Sequence, residues 1–253
     1  MNFDHAQLSR WSRQMLLDEI GATGQAALAR ARVLLIGVGG LGSPVALYLA
    51  GAGVGHLTLL DPDRVAPDNL HRQILFRETD LGRAKVERAR LALAALDASV
   101  EVEARQGRFT RENARPLVSD HDLVIDGSDD FETRFLANDT AVELGRPLVH
   151  GAVVGFHGQV MVVGREGGCY RCLFEAPPPP GEVPPCAEAG VLGPAAGVIG
   201  SVMACEALKV LTGAGTPLTG RLWIHDALAP ATRIVPVPPN PECRACRHRR
   251  QAA

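Results

Sequence analysis

Between Arg32 and Gly42 the chain reads Arg-Val-Leu-Leu-Ile-Gly-Val-Gly-Gly-Leu-Gly. The apolar run Val33 to Ile36 is long enough for a buried strand and too short for a helix. Gly37, Gly39 and Gly42 follow in G-x-G-x-x-G register, with Gly40 among them. Ser43 to Gly53 then carries mostly small and aliphatic residues suited to a buried helix. Glycines at these points permit a tight turn, a close backbone approach to phosphate and close helix–strand packing. A helix N-terminus adds N–H donors and a partial positive charge. A second apolar run, His56 to Asp61, ends in an acid about twenty residues beyond the glycines, where such folds hold a ribose. Read alone, the glycine spacing also fits a packing turn with no ligand. The flanking runs and the acid favour a nucleotide cradle.

The rest of the chain alternates in kind. A helix is predicted over 4–20, with Leu8, Trp11, Met15 and Leu16 as its apolar side, then a break at Gly21 to Gly24 and a short helix over 25–30. Leu70 to Leu75 reads as a short helix or extended turn. Gly82 to Leu96 reads as an amphipathic helix with Val86, Ala89, Leu93 and Leu96 inward; Lys85, Glu87 and Arg88 fall outward or at its edge. Val100 to Ala104 alternates like a half-exposed strand. A helix at Glu112 to Val118, a strand at Leu123 to Asp126, a helix at Phe131 to Leu144 and a strand at Pro147 to His150 complete the pattern. Strands alternating with helices predict a Rossmann-like α/β fold with a doubly wound, mainly parallel sheet.

Beyond residue 151 the pattern changes. Gly158 to Val163 and Gly168 to Cys172 read as strands with no helix between them, which fits an antiparallel C-terminal extension. Pro177 to Pro180, Pro184 and Pro185 mark an irregular loop. A helix follows from Pro194 to about Leu211, then two strands after Gly220 and a proline-rich tail. The 253 residues are read as one domain: a nucleotide-binding core over about 30–150 and the extension, loop and tail over about 151–253.

Composition excludes several classes. Lys and Arg number 26 against 28 Asp and Glu, a formal net charge of −2, so nothing favours nucleic acid. The first residues are polar and carry no apolar signal core. The apolar stretch Val191 to Cys205 is shorter than a membrane span and reads as a buried helix. Six cysteines without a secretion signal point to a reducing, cytoplasmic setting. There, CxxC pairs are more often metal or redox sites than disulfides.

Arg72 and Lys85 follow the second strand, and Asp129 lies just beyond the strand ending at Asp126. In an open α/β sheet the loops beyond the carboxyl ends of strands face the ligand crevice. Arg and Lys there suit a polyphosphate, and an aspartate suits Mg²⁺ bridging phosphate oxygens. Composition alone also allows both cations to be solvated surface charges. Cys169/Cys172 and Cys243/Cys246 form two CxxC pairs, and four thiolates make a closed tetrahedral zinc site. With about 70 residues between the pairs, this requires the fold to return the tail; two unrelated thiol pairs is the alternative. Cys186, in the proline-rich loop, is a candidate nucleophile or thiol carrier, or an incidental loop residue. Cys205 reads as a small core residue. His71, His150 and His157 are scattered, with no metal-binding spacing.

Together these pieces resemble the MoeB/ThiF sulfur-carrier adenylyltransferases, which are similar to the activating domain of ubiquitin-activating enzymes. The resemblance runs from Ser12-Arg-Gln14 to Cys246. It is carried by Gly37-Val-Gly-Gly-Leu-Gly42, Asp61, Asn69-Leu-His-Arg-Gln73, Lys85, Asp126-Gly-Ser-Asp-Asp130 with Arg134, both CxxC pairs and Cys186-Ala-Glu-Ala-Gly-Val191. It implies use of MgATP to adenylate the C-terminal glycine of a small ubiquitin-like sulfur-carrier protein ending in Gly-Gly, releasing pyrophosphate. On that resemblance Asp61 binds the ribose, and Gly39 and Gly42 lie under the phosphates. Arg72 and Lys85 neutralise phosphate charge, with Asn69 and Gln73 beside them, and Asp129 acts through Mg²⁺. Arg13 is similar to an arginine lent across a homodimer, and the loop of Cys186 resembles one that crosses the carrier's tail. Asp130 stands where relatives commonly have asparagine, and His71 where many have glutamine. The rhodanese-like domain of longer relatives is not expected, so sulfur would come from a separate donor protein. The pathway implied is molybdopterin synthesis, with thiazole synthesis as the near alternative. From the glycine turn alone a nicotinamide-dependent oxidoreductase is a rival, and a non-catalytic carrier-binding module is another.

Overall fold

Strand β1 (Arg32–Ile36) is apolar on both faces, with Val33 to Ile36 between 0% and 3% exposed, so it must be covered above, below and on both edges. In the computed structural model, which describes residues 3–179 and 189–248, it lies within an eight-stranded sheet. The other strands are β2 (His56–Asp61), β3 (Glu101–Gln106), β4 (Leu123–Asp126), β5 (Leu148–Val154), β6 (His157–Val163), β7 (Arg221–Asp226) and β8 (Ala231–Pro236). Their order is β3-β2-β1-β4-β5-β6-β7-β8. Strands β1 to β5 are parallel and β5 to β8 pair antiparallel, so both the parallel sheet and the antiparallel extension are present.

Alternate strand residues point to opposite faces. Val33, Leu35, Leu57 and Leu59 enter one core layer; Leu34, Ile36, Leu60 and Val124 enter the other. The first layer is covered by α3 (Gly42–Gly51), α4 (Lys85–Leu96) and α8 (Gly193–Thr212). The second is covered by α5 (Arg111–Ser119) and α6 (Phe131–Leu144). Helix α8 is long and apolar enough to cross a membrane by length and composition. Here it packs on α3, β5 and β6 through residues such as Ala196, Ile199 and Met203.

Several local expectations are corrected. The N-terminal helix is α1 (His5–Met15), and Gly21 begins α2 (Gly21–Arg30) instead of breaking a helix. Gly24 lies inside α2, where an added Cβ would stand 3.2 Å from Ile20 Cγ2 and in ordinary contact with Thr212 of α8. Of the expected apolar side of α1 only Trp11 is buried, while Leu8 and Leu16 are exposed. Of the two readings of 70–75 the turn holds: Arg72 and Gln73 both donate their N–H groups to the Asn69 carbonyl. The stretch read as a strand at 168–172 holds a one-turn helix, α7 (Tyr170–Leu173), with Cys169 at its N-cap. Cys205 is exposed on α8 and not in the core.

Candidate functional site

The strand order reverses at β1. From there the chain runs outward to β2 and β3 on one side and to β4 and β5 on the other. Loops leaving the carboxyl ends of β1 and β4 therefore diverge and leave a crevice, the usual ligand position of such sheets. A cavity of 280 Å³ lies there. Gly37 adopts φ +85° and donates its N–H to the Leu60 carbonyl (2.8 Å), and Gly127 donates to the Ile36 carbonyl (2.9 Å). These bonds stitch the loops after β1 and β4 to neighbouring strands. Gly39 and Gly40 line the cavity, and among the described residues nothing accepts a hydrogen bond from their N–H groups. Gly42 does not line it. A Cβ there would stand 2.0 Å from the Gly37 carbonyl oxygen, so this glycine serves the close packing of α3 behind the turn.

Asp61, at the end of β2, is 4% exposed and accepts hydrogen bonds from Val38 N–H (2.7 Å) and Asp63 N–H (2.8 Å). Burial raises its carboxyl above the ordinary value, against the opposing pull of Lys85 and those two N–H groups. Lys85, expected outward or at the helix edge, is 5% exposed. It opens α4, and side chains of a first helical turn tilt back past the helix end. Its Nζ therefore reaches the cavity and pairs with Asp63 at 2.9 Å. Arg72 lines the same cavity, half-buried, with its guanidinium donating to the Asp68 carbonyl (2.7 Å) and lying 2.8 Å from His71 Nε2. Gln73 is buried, lines the cavity, and leaves its Oε1 without a partner among the described residues. Asn69 stays outside the cavity lining and shapes the turn that carries Arg72 and Gln73.

Asp129 lies at the exposed rim of the cavity, and no described residue hydrogen-bonds its carboxylate. Its neighbour Asp130 also lines the cavity, but its carboxylate is engaged: its Oδ1 accepts from Thr133 N–H at 2.7 Å and caps α6. Asparagine caps a helix equally well, which accounts for either residue at this position. Arg134 is 9% exposed, donates from Nη2 to the Ser128 carbonyl (3.3 Å) and lies 5.1 Å from the centre of the Phe131 ring. Behind the loop, Asp126 is fully buried and accepts from His150 Nδ1 at 2.8 Å. Burial would raise its pKa, but hydrogen bonds from His150 and Ser128 outweigh this and hold the carboxyl below its usual value.

The fold thus gathers Gly37, Gly39, Gly40, Asp61, Arg72, Gln73, Lys85 and Asp129 around one cavity. Arg13 is exposed on α1 and does not line it. Cys186 lies outside the described residues. Asp63, Arg108 and Phe109 also line the cavity and escape the sequence reading, and Ser128, quoted there within the Asp126–Asp130 motif, lines it without an assigned role. Asp63 and Ser128 follow strand ends, so the rule that picks out Asp129 reaches them too.

The four cysteines of the two CxxC pairs meet. Their sulfurs all lie within 4.8 Å of one another. Cys169 Sγ is 3.9 Å from Cys172 and 3.6 Å from Cys243, and Cys172 is 3.4 Å from Cys246. A tetrahedral site with zinc–sulfur bonds near 2.3 Å separates sulfurs by about 3.8 Å, so the set fits that ion. Burial and the neighbouring sulfurs push the Cys169 thiol up to about 11. Asn138 Nδ2 (3.8 Å from Cys169 Sγ) and the Asn240 N–H (3.3 Å from Cys172 Sγ) supply outer hydrogen bonds to the sulfurs.

The model of the ThiF family matches residues 11–245. A sulfur carrier protein adenylyltransferase of Thermus thermophilus is 50% identical over 252 residues, spanning 97% of this chain and 93% of that protein. A SAMP-activating enzyme E1 of Haloferax volcanii is 43% identical over 246 residues, spanning 97% of this chain and 91% of the relative. Among solved structures, Escherichia coli MccB with MccA-N7isoASN superposes with a TM-score of 0.85 at 21% identity, covering 97% of this chain and 75% of MccB, a likeness of fold.

Proposed function

The chain belongs to the ThiF family, and we propose that it uses MgATP to adenylate the C-terminal glycine of a small ubiquitin-like sulfur-carrier protein. The activity class follows from relatives named as sulfur carrier protein adenylyltransferases. The observation that carries the assignment of roles is the convergence of Asp61, Arg72, Lys85 and Asp129 on one cavity at the topological switch point. Asp61 would serve a nicotinamide enzyme as well, but Arg72, Lys85 and Asp129 together count against one.

In this reading Asp61 receives the ribose hydroxyls on carboxylate oxygens already oriented by Val38 and Asp63. The free N–H groups of Gly39 and Gly40, just ahead of α3, face the phosphates. A carrier carboxylate oxygen attacks the α-phosphorus while the bond to the bridging oxygen of pyrophosphate breaks. No proton need move at phosphorus, so catalysis is positioning and charge stabilisation. Arg72 and Lys85 meet the charge that grows on the phosphate oxygens. Lys85 is held by Asp63 until substrate competes for it. Asp129 has the unengaged carboxylate suited to hold Mg²⁺, which when bound neutralises phosphate charge.

Arg13 acts, in this proposal, in the site of a second copy. Its exposed position on α1, away from its own cavity, supports the idea. Arg13→Ala and Asp129→Ala chains, each inactive alone, are expected to regain up to about a quarter of wild-type activity when mixed and allowed to exchange subunits, because a heterodimer holds one intact site. The measurement is exchange activity against mixing ratio. No recovery after demonstrated subunit exchange would place Arg13 within its own site or outside the chemistry.

The four cysteines hold one structural zinc ion in this reading. Molybdopterin synthesis is the proposed pathway, with thiazole synthesis as the alternative. The deciding experiment is labelled ATP–pyrophosphate exchange with purified Gly-Gly carriers of each type. Exchange with neither would overturn the assignment.

A further inference from the structure

The carboxylate of Asp129 is useful only if the turn that bears it is fixed, and the structure shows what fixes it. Asp126 ends β4 beside its register partner His150 on β5. Asp126 Oδ1 accepts both the Ser128 N–H (3.0 Å) and the Ser128 Oγ–H (2.6 Å). The Ser128 carbonyl in turn accepts from Arg134. Every polar group of Ser128 is therefore engaged, and the next residue is Asp129. The other oxygen of Asp126 has one described partner, His150 Nδ1. With the carboxylate ionised, Nδ1 carries the proton.

His150 is an odd choice for packing alone. It is 1% exposed, lies against the Tyr170 ring at 4.7 Å, and its Nε2 has no partner among the described residues. A buried, unpaired nitrogen opposes folding, and an apolar side chain would avoid it. What an apolar side chain cannot supply is the N–H that orients Asp126.

We propose that His150 is a positioning residue for adenylation: its hydrogen bond orients Asp126, which clamps Ser128 and so presents Asp129 and Arg134 to the MgATP site. This rests on the adenylation reading. The clamp joins the end of β4 to its register partner inside β5, so it is set by the sheet and not by the exposed loop. Neither His150 nor Tyr170 lines the cavity, so the effect on chemistry is indirect.

The test compares His150→Leu with His150→Asn, whose side-chain amide can place an N–H close to where Nδ1 stands. The first readout needs no substrate: hydrogen exchange of the Ser128 amide. His150→Leu is expected to speed it roughly ten-fold, and His150→Asn by less than about three-fold. The second readout is the Mg²⁺ concentration for half-maximal ATP–pyrophosphate exchange. It should rise roughly ten-fold in His150→Leu and little in His150→Asn, with the carrier KM unchanged in both. If His150→Leu does not fold, Ser128→Ala, which removes one of the three Ser128 bonds, should move the Mg²⁺ requirement in the same direction. Wild-type Ser128 protection, or an unchanged Mg²⁺ requirement, in the folded variant overturns the proposal. Absence of exchange activity in the unmutated enzyme would count instead against the adenylation reading, and the amide result would still decide whether His150 clamps the turn.

Discussion

Asp129→Ala is expected to lower carrier-dependent ATP–pyrophosphate exchange by roughly a hundred- to a thousand-fold, the usual effect of removing one preorganised charge-stabilising group. Melting should hardly move. The side chain is exposed and no described residue hydrogen-bonds it, and such surface changes stay within about 0.5 kcal/mol, or ~2 °C for a chain of this size. Asp130→Asn is the paired control. Asp130 spends its carboxylate on Thr133 N–H, and asparagine caps as well, so exchange should remain within a few-fold. Labelled pyrophosphate on both variants, beside their melting curves, makes the comparison. A folded Asp129→Ala enzyme at near wild-type rate would remove Asp129 from the site. If Asp130→Asn fell as far as Asp129→Ala, the metal role would belong to the pair.

How much of this was written in the sequence depends on the range of the interaction. The strand–glycine–helix unit, Asp61 and the Phe131–Leu144 helix are local: periodicity and a few turn residues decide them. Lys85 marks the first limit. A helical wheel puts it outside or at an edge, because the wheel ignores that it is the first residue of α4 and that the helix end faces the crevice. Cys205 marks a second. The hydrophobicity of α8 reads as burial all round, yet only the faces meeting α2, α3 and the sheet are covered, and Cys205 lies on the open side. His150 marks a third. As one of several scattered histidines it carries no signal; its meaning comes from the pairing of β4 with β5, which brings it to Asp126 across 24 residues. Gly168 to Cys172 looked extended because short apolar runs do not separate strand from helix. There the cysteine cluster decides, and the backbone turns to aim two sulfurs one way.

That cluster yields the largest expected effect on stability. The two CxxC pairs approach each other as closely as Cys169 approaches Cys172: 3.6 Å between Cys169 and Cys243 and 3.4 Å between Cys172 and Cys246, against 3.9 Å between Cys169 and Cys172. Two unrelated thiol pairs have no reason to meet in this way. Cys169 and Cys243 also belong to the core layer under α6, together with Tyr170, Leu222 and Val237. Loss of the ion would therefore leave buried sulfurs without a cation and release the tail from the sheet. Structural zinc supplies on the order of 10 kcal/mol of folding free energy in small domains. Here the sheet also has two core layers of its own, so a smaller loss is expected, and even about 3 kcal/mol corresponds to roughly 10 °C. Cys243→Ser is thus expected to drop zinc from one ion per chain to nearly none and to lower the melting temperature by about that amount. A strong chelator should do the same to the unmutated protein. Elemental analysis and thermal denaturation on the same fresh preparations test both statements. Protein purified without chelator that contains no zinc, and that melts where Cys243→Ser melts, would leave the four cysteines as packing and not as a metal centre.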